Sequence, residues 1–455
     1  MEFLLIGLNH RTSPLDVREK LTLTKSQWPQ ALSGMAEYGV PGVILSTCNR
    51  SEFYALEPAN PQTTEQSSKL KWKGSGEDRI KQFLVDKFDV SLLDVDRFLY
   101  VHRERDCVNH LFRVASSLDS MILGEEQIIG QVREAFDIAS QSENLPSSLS
   151  FLFQRALRVG RRVRRETGIG RNAMSVSKAC VELAKNALGD LKGRRAMVVG
   201  AGDAGELAAQ VLSRSGVDQI TVTNRTYARA LELARGLSGQ AIPFQEFPDA
   251  LKTSDIVIGC TGSPGYVLEA SAVRTAMAAR PDRPLFLLDI AVPRDIDPEA
   301  GKIENVFLHD VDDLESVSEA SRVEKAEEAR SAEDVVNKES ELFLDWWRTL
   351  EVLPTVINLR HKADQIREKE LNKTLKRLNG KLSAEEIGSI DSMTQAIVNK
   401  LLHEPTLFLK NRPSSTELDL ARELFGLSSP LPQEPISRDH VNQDHINNES
   451  SDAID

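Results

Sequence analysis

The sequence predicts a multidomain α/β protein: an N-terminal α+β domain, a Rossmann-type domain, and a long helix leading into an all-helical C-terminal domain. Three observations carry this prediction. Strand-like apolar runs mixed with helical stretches fill residues 1–160. Beyond Ser175, further strand-like runs alternate with helical patterns in the βαβ manner, and the first runs straight into Gly200-Ala201-Gly202-Asp203-Ala204-Gly205. From about Asp312 the residues become charged and helix-forming, until Pro, Ser, Asn and Asp take over after Arg412. The expected segments are 1–160, 171–309, 310–411 and a disordered tail over 412–455.

In the first domain, Phe3 to Leu8, Val43 to Ser46 and Phe53 to Leu56 read as strands, and the stretches around Arg79 to Phe88 and Val108 to Ala139 as helical. Pro58 to Gly76, rich in Pro, Gln, Thr, Ser and Lys and without periodicity, reads as an exposed, mobile loop. The run Val43-Ile44-Leu45-Ser46 delivers Thr47-Cys48-Asn49-Arg50 into a loop, so Cys48 is expected in a cleft. A thiol near its usual pKa of ~8.5 is only slightly ionised at neutral pH, yet that fraction is strongly nucleophilic, and Arg50 beside it would enlarge it. The competing role for a lone cysteine is a small apolar residue filling a strand end.

The second domain is expected to place strands at Arg195 to Val199, Ile220 to Val222, Asp255 to Cys260 and Pro284 to Ile290. Its glycine motif lies between a strand and the helical run Glu206 to Ser213. In that context the glycines permit a tight turn and close approach of a pyrophosphate to a helix N-terminus. Gly200, Ala201, Gly202, Asp203, Ala204 and Gly205 are therefore expected to contact a dinucleotide. After the next strand, Asn224, Arg225 and Thr226 stand where an NAD site would offer an acidic side chain to the ribose. An arginine there suits a 2′-phosphate, which favours NADPH over NADH; a solvated turn is the alternative.

With 455 residues and 40% hydrophobic content, the chain is long enough for several domains with their own cores. Its four cysteines, Cys48, Cys107, Cys180 and Cys260, form no CxxC pair and fit a reducing compartment. The eight histidines show no HExxH or clustered spacing, so no metal is expected. The opening run is too short for a signal-peptide core and no later run approaches membrane-spanning length; the expectation is a cytoplasmic protein with no membrane partner.

The charged helical run from Asp312 to Thr349 carries few apolar residues and should act as a partly exposed spine, continued beyond Pro354 by further helices to about Leu409. Leu342, Phe343, Leu344, Trp346, Trp347, Leu350, Val352 and Leu353, with Met393, Ile397, Leu401 and Leu402 downstream, form apolar concentrations that need a partner, most simply a second subunit. The formal charge of −12 hides basic clusters. Arg155, Arg158, Arg161, Arg162, Arg164, Arg165 and Arg171 form one; Arg360, Lys362, Arg367, Lys369, Lys373, Lys376, Arg377 and Lys381 form another. Either could meet phosphates or simply be a solvated face, and the second could instead serve the dimer.

Several motifs occur together and in order: Gly7-Leu8-Asn9-His10-Arg11-Thr12-Ser13-Pro14, Ser46-Thr47-Cys48-Asn49-Arg50, the segment Ala115 to Ile128, the GAGDAG loop, and Asp289-Ile290-Ala291-Val292-Pro293-Arg294-Asp295-Ile296. On these the chain resembles the glutamyl-tRNA reductases, from residue 2 to about residue 410. The resemblance implies a catalytic domain, an NADPH domain, a spinal helix and a helical dimerisation domain, assembled as a V-shaped homodimer. It implies that Cys48 attacks the ester of glutamyl-tRNA to form a thioester, which NADPH reduces to glutamate-1-semialdehyde. That is the first committed step towards 5-aminolevulinate and tetrapyrroles. It assigns substrate contacts to Thr47, Asn49, Arg50, Ser120, Glu125, Glu126, Gln127 and Gln131, although many members carry Pro where Glu126 stands. It also assigns His110 a part in activity, as a proton acceptor or donor near Cys48. Arg50 is physically suited to fork onto the glutamyl carboxylate. The reactive aldehyde makes direct transfer to glutamate-1-semialdehyde aminotransferase attractive; DNA is not an expected partner.

Two other readings share these features. A shikimate-dehydrogenase-like oxidoreductase would have the βαβ unit and the Asn-Arg-Thr turn without a cysteine thioester. A tRNA-binding or regulatory homologue would have the fold without turnover, against which the presence of Cys48 and His110 argues. His10 and Arg11 read as organisers of a turn near the site, and Cys180 and Cys260 as core.

Overall fold

The computed structural model describes residues 2–57, 74–142, 144–171, 175–315, 317, 323, 325–378, 381–410 and 415–427. Two compact units divide it, Met1–Glu341 and Leu342–Asp455. The first contains two sheets. Strands β1 (Glu2–Asn9), β2 (Gly42–Ser46), β3 (Arg50–Glu57) and β4 (Tyr100–Arg103) form an antiparallel sheet in the order β2-β3-β1-β4. β1, β2 and β3 are buried at almost every residue, so β1 and β2 read as near-continuous apolar runs rather than as alternating ones, while β3 buries Arg50, Ser51, Glu52 and Glu57 beside its apolar residues. Around them lie α1 (Leu15–Leu21), α2 (Trp28–Glu37), α3 (Gly76–Phe88), α4 (Leu92–Asp96), α5 (Glu104–Ala115), α6 (Gln127–Ser140) and α7 (Ser147–Glu166). One residue in β1 breaks the apolar run for a reason. Gly7 pairs with Glu52, and a Cβ on Gly7 would lie 2.8 Å from Glu52 Cγ.

The helical stretch expected from Val108 to Ala139 is two helices. Between α5 and α6, residues 116–126 form an irregular loop with positive φ at Ser117 and Gly124. A Cβ on Gly124 would also fall 2.1 Å from the carbonyl oxygen of Ile169, so only glycine fits there. α7 runs to Glu166, so the boundary expected at residue 160 falls inside a helix. Of the predicted loop Pro58 to Gly76, residues 58–73 lie outside the described residues.

After Ser175, whose side chain caps α8 (Val176–Leu188), the chain builds a parallel sheet of six strands. These are β5 (Arg195–Val199), β6 (Gln219–Thr223), β7 (Gln240–Ile242), β8 (Ile256–Gly259), β9 (Leu285–Asp289) and β10 (Val306–Asp310), in the order β10-β9-β8-β5-β6-β7. Helices α9 (Asp203–Arg214), α10 (Tyr227–Gly236), α11 (Phe247–Ala250) and α12 (Ala270–Ala278) connect them. The sheet separates two apolar cores, as in a doubly wound fold.

Beyond β10, α13 (Ala326–Leu378) runs without a break through Pro354, where the sequence predicted a succession of helices. An interior proline removes a hydrogen bond and costs ~3 kcal/mol. Val352, Val356 and Leu359, buried on either side of Pro354 in one cluster with Leu409, Leu418 and Ala421, hold the two halves in line. α14 (Ala384–Lys410) and α15 (Ser415–Leu424) complete the helical unit. Residues 415–427 are thus a helix and turn packed on that cluster rather than part of a tail, while 428–455 lie outside the described residues. Phe343, Leu344, Trp347 and Val352 are buried within the chain, whereas Leu342, Leu353, Met393, Ile397 and Leu401 are exposed. Among the described residues no helix is long and apolar enough to cross a membrane.

Candidate active site

Ser46 of β2 pairs with Ser51 of β3, and Thr47 N donates to Arg50 O at 2.8 Å, which leaves Cys48 and Asn49 at the tip of a tight hairpin. Asn49 N bonds Thr47 Oγ1 at 3.2 Å, fixing the turn. The tip faces a small pocket lined by Thr47, Cys48, Asn49 and Arg50, by Ser120, Met121 and Glu125 of the 116–126 loop, by Gln127, Ile128 and Gln131 of α6, and by Val176 of α8. Seven of the eight residues expected to contact substrate therefore come together around Cys48. The eighth, Glu126, is exposed and paired instead with Arg164 at 2.8 Å. The free volume is about 20 Å³, room for little more than a water molecule. A glutamyl group enters only if the walls part, and Val176 shows that one wall belongs to the nucleotide-binding side.

The loop carrying Ser120 and Glu125 is stapled from α7. Arg164 Nη1 donates to the carbonyl oxygens of Gly124 (3.2 Å) and Glu125 (2.8 Å), and Ser117 Oγ donates to Glu125 O at 2.6 Å. Burial pushes the Glu125 carboxyl up, opposed by its bond with Ser120. Burial and the Glu125 charge push the Cys48 thiol up to about 11, against the pull of Arg18 and Arg50. The thiolate enrichment expected from Arg50 is thus outweighed. Burial is the larger cause, and Arg50 is moreover held by partners of its own: Nη1 contacts Glu52 Oε1 at 2.7 Å and Asp119 Oδ2 at 3.1 Å, and Nη2 donates to Asp119 O.

Glu52 is the residue that sequence reasoning missed. Fully buried, it accepts from Arg50, from Tyr54 OH (2.6 Å) and from Tyr100 OH (2.6 Å), and it meets His110 Nε2 at 2.8 Å. Burial alone would raise its carboxyl, but Arg50 and His110 hold it far below the usual carboxylate range. His110 therefore does not line the pocket; it belongs to this buried network behind Arg50. Gly7 opposite Glu52 was the available signal, a glycine inside an apolar strand making room for a crossing side chain.

The expected cofactor loop has the geometry for a pyrophosphate. Gly200 has φ 118°, a Cβ on Gly205 would meet Gly200 O at 2.2 Å, and a Cβ on Gly202 would meet open space at the N-terminus of α9. Asn224 Oδ1 accepts from Ala201 N at 3.4 Å, joining this loop to the turn after β6. Arg225 in that turn is exposed, and Thr226 leads into α10. Among the described residues, no group of His, Cys, Asp and Glu is arranged to hold a metal.

The basic stretch of α7 divides by face. Arg155 and Arg162 pair with the buried Glu339 of α13, at 2.6 Å and 2.5 Å, and Arg164 staples the pocket loop. Arg158 and Arg161 line an exposed concavity with Arg133, Phe136, Asp137, Gln154 and Leu157. In the second cluster, Arg367 pairs with Asp391 and Lys362 donates to Phe425 O and Gly426 O.

Three family models match the chain in succession: the N-terminal domain of glutamyl-tRNA(Glu) reductase over residues 6–167, shikimate/quinate 5-dehydrogenase over 182–317, and the dimerisation domain of glutamyl-tRNA(Glu) reductase over 331–427. The glutamyl-tRNA reductase of Thermodesulfovibrio yellowstonii is 40% identical, covering 94% of this chain and 99% of that one. That of Pelotomaculum thermopropionicum is 42% identical, covering 94% and 95%. The solved glutamyl-tRNA reductase of Methanopyrus kandleri aligns at 29% identity with a TM-score of 0.49, covering 94% and 99%. The shikimate-type match is confined to the middle of the chain, which supports a nicotinamide cofactor there; both flanks match the other family.

Proposed function

The chain belongs to the glutamyl-tRNA reductase family, and from that membership we propose that it reduces glutamyl-tRNA to glutamate-1-semialdehyde through a thioester on Cys48. The observation that carries this reading is the pocket itself: a thiol at a hairpin tip, surrounded by Thr47, Asn49, Ser120, Gln127 and Gln131. Cys48 Sγ attacks the ester carbonyl, the bond from carbonyl carbon to ribose oxygen breaks, and the tRNA hydroxyl leaves with a proton. A thioester remains. NADPH, when bound, supplies the hydride that reduces this carbonyl, and re-formation of the C=O bond with loss of Cys48 releases the aldehyde.

The residues around Cys48 bind, shut out water and manage protons. Arg50, Ser120 and Gln131 orient the glutamyl group, and Arg50 reaches its carboxylate only by loosening a contact with Asp119. Glu125, whose carboxyl burial favours the neutral form, is a proton carrier at the pocket wall. His110 supports the reaction by way of Glu52, which fixes Arg50 as well. For the cofactor, an exposed Arg225 in a turn, Thr223 to Thr226, that carries no Asp or Glu supports NADPH over NADH. Arg133, Arg158 and Arg161 would contact the tRNA backbone, being a cationic surface on the helices that frame the pocket. The exposed apolar residues of α14 support a homodimer, and direct delivery of the aldehyde to its aminotransferase fits its reactivity. Cys48→Ser tests the core of this reading: reduction of glutamyl-tRNA is abolished while NADPH binding is kept, and substantial residual reduction would sink it.

A further inference from the structure

Leu15, Arg18 and Glu19 share one face of α1, a helix that the mechanism above does not use, and all three reach the nucleotide-binding domain. Leu15 is buried in the apolar core that Cys180 of α8, Leu212 of α9 and Leu288 of β9 form on one side of the parallel sheet. Arg18, also buried, donates from Nη2 to Oδ1 of Asp312, just beyond β10, at 2.6 Å. Glu19 takes Arg294 at three points. Its Oε1 accepts from the backbone N at 2.6 Å and from Nε at 2.9 Å, and its Oε2 accepts from Nη2 at 2.7 Å. The two side chains are largely shielded from water, Glu19 at 16% and Arg294 at 22% exposure.

Arg294 belongs to the loop 290–296 that follows β9, and that loop is braced from within. Asp289 accepts from Ala291 N at 3.0 Å with Oδ1 and from Ile296 N at 2.7 Å with Oδ2, which folds the loop back on its own strand. Asp295 accepts from Thr261 N at 2.6 Å and so ties the loop to the residues after β8. Both carboxylates are buried. The ends of β8 and β9 lie beside β5, whose end opens the glycine loop, so they stand on the edge of the sheet where a dinucleotide binds in this fold. A stiff loop at the cofactor crevice is therefore gripped by a helix of the domain that holds Cys48. The same docking closes the thiol pocket: Val176 of α8 forms one wall, and Cys48 and Val292 pack against one core.

We propose that Glu19 and Arg294 are positioning residues for the reduction step: their ion pair holds the nucleotide-binding domain over Cys48 and so decides whether the thioester meets hydride or water. This rests on the thioester reading of Cys48. Hydride transfer to the thioester carbonyl carbon, with breakage of the C–S bond and a proton from solvent to sulfur, gives the aldehyde and the Cys48 thiol. Attack by water on the same carbon breaks the same bond; the hydroxyl stays on carbon, the proton goes to sulfur, and the product is free glutamate. The first fate needs the cofactor domain docked, whereas the second needs only an open pocket. Acyl transfer from the tRNA needs the walls parted, so a weaker clasp does not slow it.

The test is a single turnover of radiolabelled glutamyl-tRNA by the full-length protein with saturating NADPH, counting aldehyde against free glutamate after subtraction of the glutamate formed by Cys48→Ser. Loss of a charged hydrogen bond shifts the balance between docked and parted domains about tenfold or more. Glu19→Gln and Arg294→Gln are each expected to lower the aldehyde-to-glutamate ratio about tenfold, while tRNA release without NADPH and NADPH binding stay within about twofold of wild type. The double variant falls no further than the singles, because the pair acts as one contact, and Arg294→Lys keeps part of the ratio. A contact that merely supports the fold predicts that tRNA release, NADPH binding and reduction decline together. That result, an unchanged ratio, or a double variant at the product of the two single losses overturns the proposal. If Arg294→Gln does not fold, Glu19→Gln decides alone: a lowered ratio with tRNA release kept supports the proposal, and any other outcome overturns it. Failure of the thioester reading looks different, since the wild-type protein would then carry no glutamyl adduct on Cys48 in the absence of NADPH.

Discussion

Replacing Glu52 by Gln keeps the side chain's shape and removes its charge, and the consequence can be worked from four contacts. Arg50, Tyr54, Tyr100 and His110 all converge on this carboxylate within 2.8 Å, in a fully buried place. The variant leaves Arg50 with Asp119 alone and turns an amide NH₂ towards groups that are themselves donors. Breaking a buried charge pair by removing one partner costs ~3–5 kcal/mol. The lost charged hydrogen bonds, at ~1.5–3 kcal/mol each, overlap with that figure rather than add to it. Against a total stability of ~5–15 kcal/mol the loss is large. With a urea slope of ~3 kcal/mol/M, the unfolding midpoint followed by circular dichroism falls by ~1–1.7 M. The sign with pH is fixed as well. The folded carboxyl lies below its unfolded value, so its contribution is present above the unfolded pKa and is lost as pH falls through the folded one. The gap between Glu52→Gln and wild type is therefore full at pH 7 and narrows below about pH 4.3. A midpoint within ~0.3 M of wild type at pH 7, about 1 kcal/mol at that slope, would refute the reasoning.

Arg225→Asp replaces attraction to a 2′-phosphate with repulsion, so the KM for NADPH should rise tenfold or more while that for NADH changes little; equal losses for both would show that Arg225 does not read the phosphate. Charge reversal at Arg158 and Arg161 together should weaken tRNA binding by about tenfold at low salt and flatten its salt dependence, leaving NADPH binding unchanged; filter binding across a salt series would reveal an unchanged slope if this face is only solvated. Asp at both Ile397 and Leu401, each exposed on α14, should convert a dimer to a monomer in light scattering at micromolar concentration, and a persisting dimer would place the interface elsewhere.

How much of this was legible in the sequence depends on the range of the interaction concerned. The hairpin that presents Cys48 is local: an apolar run, the stretch Ser46 to Glu52 and a second apolar run within fifteen positions, so its tip could be read directly. The strand, glycine loop and helix around Gly200 are equally local. The short strands β4 and β7 were missed because three or four residues carry too little periodicity to register. Glu52 was missed for a different reason. Its partners come from positions 2, 48 and 58 residues away, and only the assembled sheet brings Tyr100 and His110 to a residue that looked like a polar strand start. The arginines of α7 make the same point. Spacing separates Arg155 and Arg162 from Arg158 and Arg161, yet which pair is tied up in ion pairs depends on Glu339, some 180 residues on, docking against one face.

The central claim is that Cys48 carries the glutamyl group, and the direct measurement is mass spectrometry of the protein after incubation with glutamyl-tRNA in the absence of NADPH. The account predicts a glutamyl adduct on the Cys48 peptide, labile to hydroxylamine, absent from Cys48→Ser and discharged as aldehyde when NADPH is added. No adduct on Cys48 in a preparation that reduces glutamyl-tRNA once NADPH is supplied would contradict it.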